Sequence, residues 1–286
     1  MTRFFVRRIA MPLGIALVAS RLGAQCRPPA NSHEARLLAF YEAPVAFSPG
    51  DAPAPLRPGA VRVGAEAIPV PSPSEELRHP SYCYQYTTNN TRLVPLFGRP
   101  RVIVGLPGQL ALEASYLPPI SVGDARATIA SLALSRIQRL PFTSGVALTI
   151  RAHATTGSIG GPITCPRGSL QLADEAAPCY GTVPSHDTFR PTAYGAEAAL
   201  GTQTRNGRVA VYGGGGVSVL QPHFRAGFTD ALGNVDHTTV DVDLARATAF
   251  AGAALRLRDD VSVAAQIYAV PADVTTIRLG ATYRLR

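Results

Sequence analysis

Apolar and polar residues alternate with period two in repeated pieces of about ten residues. Residues 60–68 put Val61, Val63, Ala65 and Ala67 on one side and Arg62, Gly64 and Glu66 on the other. Residues 109–117 oppose Leu110, Leu112, Ala114 and Tyr116 to Gln109, Glu113 and Ser115. The same holds for 145–154, where Val146, Leu148, Ile150 and Ala152 oppose Thr149, Arg151 and His153, and for 192–201 and 261–269. Such alternation predicts strands with one buried and one contrasting face. Three segments are less regular. Residues 100–107 are short, and 125–137 alternate weakly. Residues 237–257 change parity between Val240, Val242, Leu244 and Ala251, Ala253, Leu255, which predicts a bulge near 245–249. The terminal stretch TTIRLGATYRLR places Ile277, Leu279, Ala281, Tyr283 and Leu285 opposite Arg278, Gly280, Thr282, Arg284 and Arg286.

Short connections fall at 107–108, 139–144, 203–207 and 258–260. Longer ones fall at 156–187 and 221–236, with links at 118–124 and 270–274. Set on opposite ends, they give an up-and-down count of ten strands from residue 60 to 286. Counting 37–47 and 81–88 as strands would make twelve.

Residues 1–24 stand apart. Arg3, Arg7 and Arg8 precede the apolar run 9–19, and Leu22-Gly23-Ala24 offers a small residue for cleavage. This predicts a secretory signal peptide cut after Ala24, too short in its apolar run to span a membrane. Its removal takes four arginines and no acid, so the formal charge falls from +8 to about +4. A charge so modest and scattered argues against a nucleic-acid partner. Export permits disulfides, and Cys165 with Cys179, 14 residues apart, predicts a clamped loop. No second ligand pair sits near these cysteines at CxxC spacing, which favours the disulfide over a metal site, and no cofactor is expected.

The signal peptide, the recurrent alternation and the terminal strand RLGATYRLR together resemble a bacterial outer-membrane β-barrel over roughly residues 60–286. The resemblance implies an all-β, up-and-down antiparallel transmembrane β-barrel with short periplasmic turns and longer outer loops. It also implies outer-membrane lipid, lipopolysaccharide and the barrel-assembly machinery as partners. Such barrels usually end on an aromatic residue; here Tyr283 is three residues short of the end. A soluble exported sandwich or lipocalin-like barrel would alternate as well, with the apolar face turned inward.

With the apolar faces toward lipid, the lumen would receive Arg62, Glu66, Arg101, Glu113, Arg151, His153, Glu197, Arg208, Arg256, Arg278 and Arg284. A ten-strand barrel is narrow and largely filled by side chains, so the glutamates are expected to pair with arginines. That network either props the barrel or lines a narrow pore that prefers anions. Residues 25–59 would be a periplasmic lead-in or a plug, and 71–98 an outer loop. In the ten-strand arrangement Cys26 and Cys83 lie on opposite sides of the membrane and should not pair. Some ten-strand barrels, such as the omptin proteases, are enzymes. His186, Asp187, Asp230, Asp236 and His237 are the outer-loop candidates, but Ser185-His186-Asp187 in a line points its side chains apart. GGGG at 213–216 lacks the Lys and Ser/Thr of a phosphate loop and reads as structural. The predicted role is structural, or passive passage of small solutes or hydrophobic compounds, with surface binding through the outer loops as the other reading.

Overall fold

The computed structural model describes residues 25–78, 82–83, 96–122, 124–140 and 145–285. Ten strands form the wall: β1 (Val61–Pro69), β2 (Leu96–Leu106), β3 (Leu110–Val122), β4 (Ala125–Arg139), β5 (Val146–Gly161), β6 (Thr192–Gln203), β7 (Val209–Leu220), β8 (Leu244–Arg256), β9 (Val261–Val270) and β10 (Val274–Arg284). Each pairs antiparallel with its chain neighbours, and β10 closes on β1 through six residue pairs, from Leu279–Ala67 to Arg284–Arg62. The result is a closed antiparallel barrel of the transmembrane type. Closure leaves no edge strand, as a strand structure in lipid requires, although β2 and β3 pair only from Val102–Ala114 to Leu106–Leu110.

The alternation resolves into two surfaces. Leu112, Tyr116, Leu132, Leu134, Ile150, Tyr194, Leu200, Val217, Ile267, Ile277 and Leu279 are exposed on the outside, while Glu66, Arg101, Glu113, Arg151, Glu197 and Arg278 are buried inside. Only an apolar solvent makes that inversion favourable, because in water the exposed leucines and isoleucines would forfeit their transfer energy.

Three sequence expectations change. Residues 118–124 are mostly strand: Pro118 and Pro119 make an irregularity between Leu117 and Ile120, and pairing resumes at Ile120–Ala127. No bulge occurs near 245–249, since β8 pairs regularly with β7 from Leu244–Leu220 to Leu255–Val209. The parity change has another cause. Val240, Val242 and Leu244 face an apolar core at the outer end of the barrel, whereas Ala251, Ala253 and Leu255 face outward. The third concerns residues 37–47, a strand in the twelve-strand count. Residues 37–45 belong to helix α1 (His33–Glu42) and the 3-10 turn Ala43–Val45, and 46–47 lie in no helix or strand. Ser32 caps the helix, accepting from the Ala35 amide at 3.1 Å, and Pro44 enters at the start of the 3-10 turn. Most of 81–88 and the whole signal-peptide region lie outside the described residues.

Above the wall, Asp187–Arg190, His223–Arg225, Thr239–Asp241 and Gln25–Cys26 extend the β5 edge into a small cap sheet. Phe189, Phe224 and Val240 stand side by side in register on its inner face and are buried against α1. Residues 25–59 therefore start at the outer end, descend inside the barrel and leave at the short-turn end, where Gly59 donates to Gly105 O at 2.8 Å. At that end Gly108 and Gly207 take left-handed conformations (φ 75° and 63°) that side-chain-bearing residues resist.

This path corrects the reading of the cysteines. Cys26 is bonded to Cys83, and Cys165 to Cys179. The pairing of Gln25–Cys26 with the cap sheet puts Cys26 at the same end as Cys83, which a periplasmic lead-in would have forbidden.

Candidate functional site

The interior of the barrel is an ordered ladder of guanidinium and carboxylate groups. Strands carry charge on alternate inward positions, so neighbouring strands stack these positions into rows. Glu66 of β1 takes Arg99 at 3.0 Å, Arg101 more closely, and Arg278 at 3.7 Å. Glu113 of β3 bridges Arg101 and Arg151, the latter at 3.0 Å. Arg151 reaches Glu197 of β6 at 3.1 Å, and His153 lies 3.8 Å from the same carboxylate. All of these groups are buried.

Four arginines against three glutamates would leave a positive surplus in a closed space. The descending chain takes it up. Arg99 donates to the carbonyls of Val45 (2.9 Å) and Ala46 (3.1 Å), Arg101 to Ser48 (2.9 Å), Arg151 to Phe47, and Arg278 to Ala43 (3.2 Å) and Ala46 (2.9 Å). The Phe47 ring lies under three guanidinium groups, 4.7, 4.5 and 4.9 Å from Arg99, Arg101 and Arg151. Such contacts are strongest where water is excluded. Gln266 reads the next carbonyl, Pro49, at 3.0 Å. Residues 43–49 thus occupy the barrel axis as a third component of the charge network.

Of the eleven lumen-facing residues expected, Glu66, Arg101, Glu113, Arg151, His153, Glu197 and Arg278 lie in this buried ladder. Arg62 sits one level lower, 3.5 Å from Asp51. Arg208, Arg256 and Arg284 are elsewhere: they are exposed at the short-turn mouth and line a basin with Arg62 and Asp51. Sequence reasoning missed Arg99 and Asp51. Arg99 shares the inward parity of Arg101 two residues on, but the segment was begun at Pro100, where proline hid the strand's true start. Asp51 lay in a stretch with no pattern at all.

The outer-loop candidates do not assemble. Asp187 is buried and spent on structure, accepting from the Thr164 amide (2.6 Å) and hydroxyl (2.9 Å), the Ser185 hydroxyl (2.6 Å) and the Gly227 amide (2.9 Å). His186 is exposed and takes no part in that set. Asp230 ties its own turn through Leu232 and Asn234. GGGG 213–216 is a packing device. A Cβ at Gly214 or Gly216 would lie 2.1 or 2.0 Å from the carbonyl of Ala198 or Ala196.

No family model matches the chain, and no curated protein matches it. Among solved structures it is similar to the outer-membrane protein Ail of Yersinia pestis, at 11% identity over 80% of this chain and 100% of that one, with a TM-score of 0.32. It is also similar to the translocator domain of the autotransporter NalP from Neisseria meningitidis, at 12% identity over 88% and 95% of the two chains and a TM-score of 0.37. A third is the toluene transporter TodX of P. putida, at 12% identity over 81% and 68% of the chains and a TM-score of 0.31.

Proposed function

We propose that this chain is an outer-membrane scaffold: a barrel closed by its own N-terminal segment, carrying no axial flux and holding a disulfide-braced cap at the cell surface. The observation that carries this reading is the seating of residues 43–49, whose carbonyls accept from four buried arginines in the middle of the barrel. An anion-selective pore would need those guanidinium groups free to meet a permeating ion. Here they are consumed by the chain itself. The cap, with its two disulfides and its exposed Leu172, Val183, Leu232 and Val235, favours surface binding over transport as the role of such a scaffold.

Two measurements test this. Protein extracted with detergent from outer membranes should run faster on gels unboiled than boiled. A protein found only in the soluble periplasmic fraction, without that shift, refutes the membrane assignment. Pure full-length protein in planar bilayers should be silent. Steady channels with the Cys26–Cys83 bond intact would overturn the closed-barrel reading.

A further inference from the structure

The outward face of the cap sheet bears arginines that the interior network does not use. In one row of register, Ser121 stands beside Arg126, Arg126 beside Gly160, Gly160 beside Thr188, Thr188 beside Arg225 and Arg225 beside Thr239. Arg190 lies two residues on from Thr188, next to His223. Arg126, Arg190 and Arg225 are exposed, and among the described residues none of their side chains has a hydrogen bond or ion pair. The floor between Arg126 and Arg225 is Gly160 and Thr188. At about 4.8 Å per strand, these two arginine Cα atoms are about 14 Å apart. Extended side chains can therefore converge over a small-residue saddle. Of the nearby acids, Asp241 is already engaged by His223 and Gln25, and Asp124 lies in the turn at the tip of the β3–β4 hairpin.

The height of this saddle follows from the wall beneath it. Outward residues of β4 read Leu134, Leu132, Ala130, Thr128, Arg126, and those of β5 read Ile150, Ala152, Ala154, Thr156, Ser158, Gly160. Both strands leave the apolar belt together, at the paired Ala130 and Thr156. Arg126 is four residues further, about 13 Å along the strand and about 10 Å along the membrane normal at the usual barrel tilt. That is headgroup depth, on the loop-bearing side.

We infer that Arg126, Arg190 and Arg225 form a phosphate-binding face for the phosphorylated glycolipid of the outer leaflet, the lipid A part of lipopolysaccharide. The inference rests on the outer-membrane reading above. Guanidinium forks match phosphate oxygens bidentately, and basic clusters just beyond the apolar zone are placed for anionic headgroups. With a neutral floor, and with Asp241 engaged by His223 and Gln25, the three arginines present positive charge to an anion.

The test uses the full-length protein in neutral detergent, titrated with bisphosphorylated lipid A, dephosphorylated lipid A and phosphatidylglycerol. Wild type should bind the bisphosphorylated form at least tenfold more tightly than the dephosphorylated form, with the difference shrinking as salt rises. The combined Arg126→Gln, Arg190→Gln, Arg225→Gln protein should lose that preference. Arg136→Gln with Arg139→Gln, at the other end of β4, should keep it. Equal binding of the two lipid A forms by wild type, or an unchanged preference in the triple variant, overturns the site. Phosphatidylglycerol competing as well as lipid A overturns the glycolipid assignment. The gel-mobility shift is scored on the same samples, so loss of the barrel itself is seen separately from loss of binding.

Discussion

The guanidinium of Arg151 lies 4.9 Å from the centre of the Phe47 ring and also donates to the Phe47 carbonyl. One residue of the barrel wall thus holds both the side chain and the backbone of one residue of the axial segment. Phe47→Ala keeps the carbonyl but removes a fully buried ring and its three guanidinium contacts. It should cost about 3–5 kcal/mol, read as a lower temperature of conversion from the fast to the slow gel form. Phe47→Leu should fall between it and wild type. An unchanged conversion temperature for Phe47→Ala would show that the ring is not holding the segment.

Glu113 joins two halves of the charge ladder, because it alone accepts from both Arg101 and Arg151. Glu113→Gln leaves two buried guanidinium groups short of a counter-charge. Breaking a buried pair in this way costs about 3–5 kcal/mol. Expected results are poor assembly into membranes and a large fall in conversion temperature. The exposed Arg208→Gln should change neither.

The two disulfides should differ in weight. The Cys26–Cys83 bond closes 57 residues and the Cys165–Cys179 bond 14. In the chain-entropy model these contribute about 4 and about 3 kcal/mol. Cys26→Ser with Cys83→Ser should therefore lower the conversion temperature more than Cys165→Ser with Cys179→Ser. Peptide mapping without reduction should recover a cross-linked fragment holding Cys26 and Cys83. Its absence would return residue 26 to the other side of the membrane.

Within GGGG, the distance to the neighbouring backbone should decide tolerance. Gly216→Ala drives a Cβ to 2.0 Å from the Ala196 carbonyl, which is backbone and cannot step aside. At Gly213 the nearest atom would be 3.4 Å away. Gly216→Ala should reduce the amount of folded barrel several-fold, and Gly213→Ala should not. Equal yields would remove the packing account.

Asp241 gives the cap a pH dependence. Partial burial works to raise its carboxyl, but hydrogen bonds from His223 and Gln25 outweigh this and hold it below the ordinary value of 3.8. A depressed carboxyl contributes stability that is fully present above 3.8 and is lost as pH falls through the lower folded value. Protease cutting near Gln25 should stay constant from neutral pH down to about 4 and rise only in stronger acid. Asp241→Asn should show the raised cutting at neutral pH as well.

Much of the wall could be read from alternation alone. That Tyr194 and Glu197 face opposite ways follows from a side-chain period of two, which needs no long-range information. The same reasoning failed at Val240, Val242 and Leu244. Their apolar face was assigned to lipid, yet they cover the inner face of the cap. Parity reports that two faces differ, and only the neighbours say which is inside. Arg99 escapes the pattern because Pro100, which lies inside β2, has the look of a strand boundary. Arg208, Arg256 and Arg284 have inward-type spacing but sit past the last covered level, where the mouth is open to water.

What the sequence determined by itself is local: period-two strands, their approximate number, the contrast of apolar and charged faces, and turns where glycine is required. The tertiary structure decided what fills the barrel. Residues 25–59 carry no strand alternation, and their helix is buried on nearly every side, so no periodic signal could orient them. Their place is set by carbonyl groups meeting arginines 53 to 235 residues away, such as Arg99 with Val45 and Arg278 with Ala46. A backbone carbonyl is the same group in every residue, and it becomes a specific partner only when folding brings a buried, undercompensated cation to it.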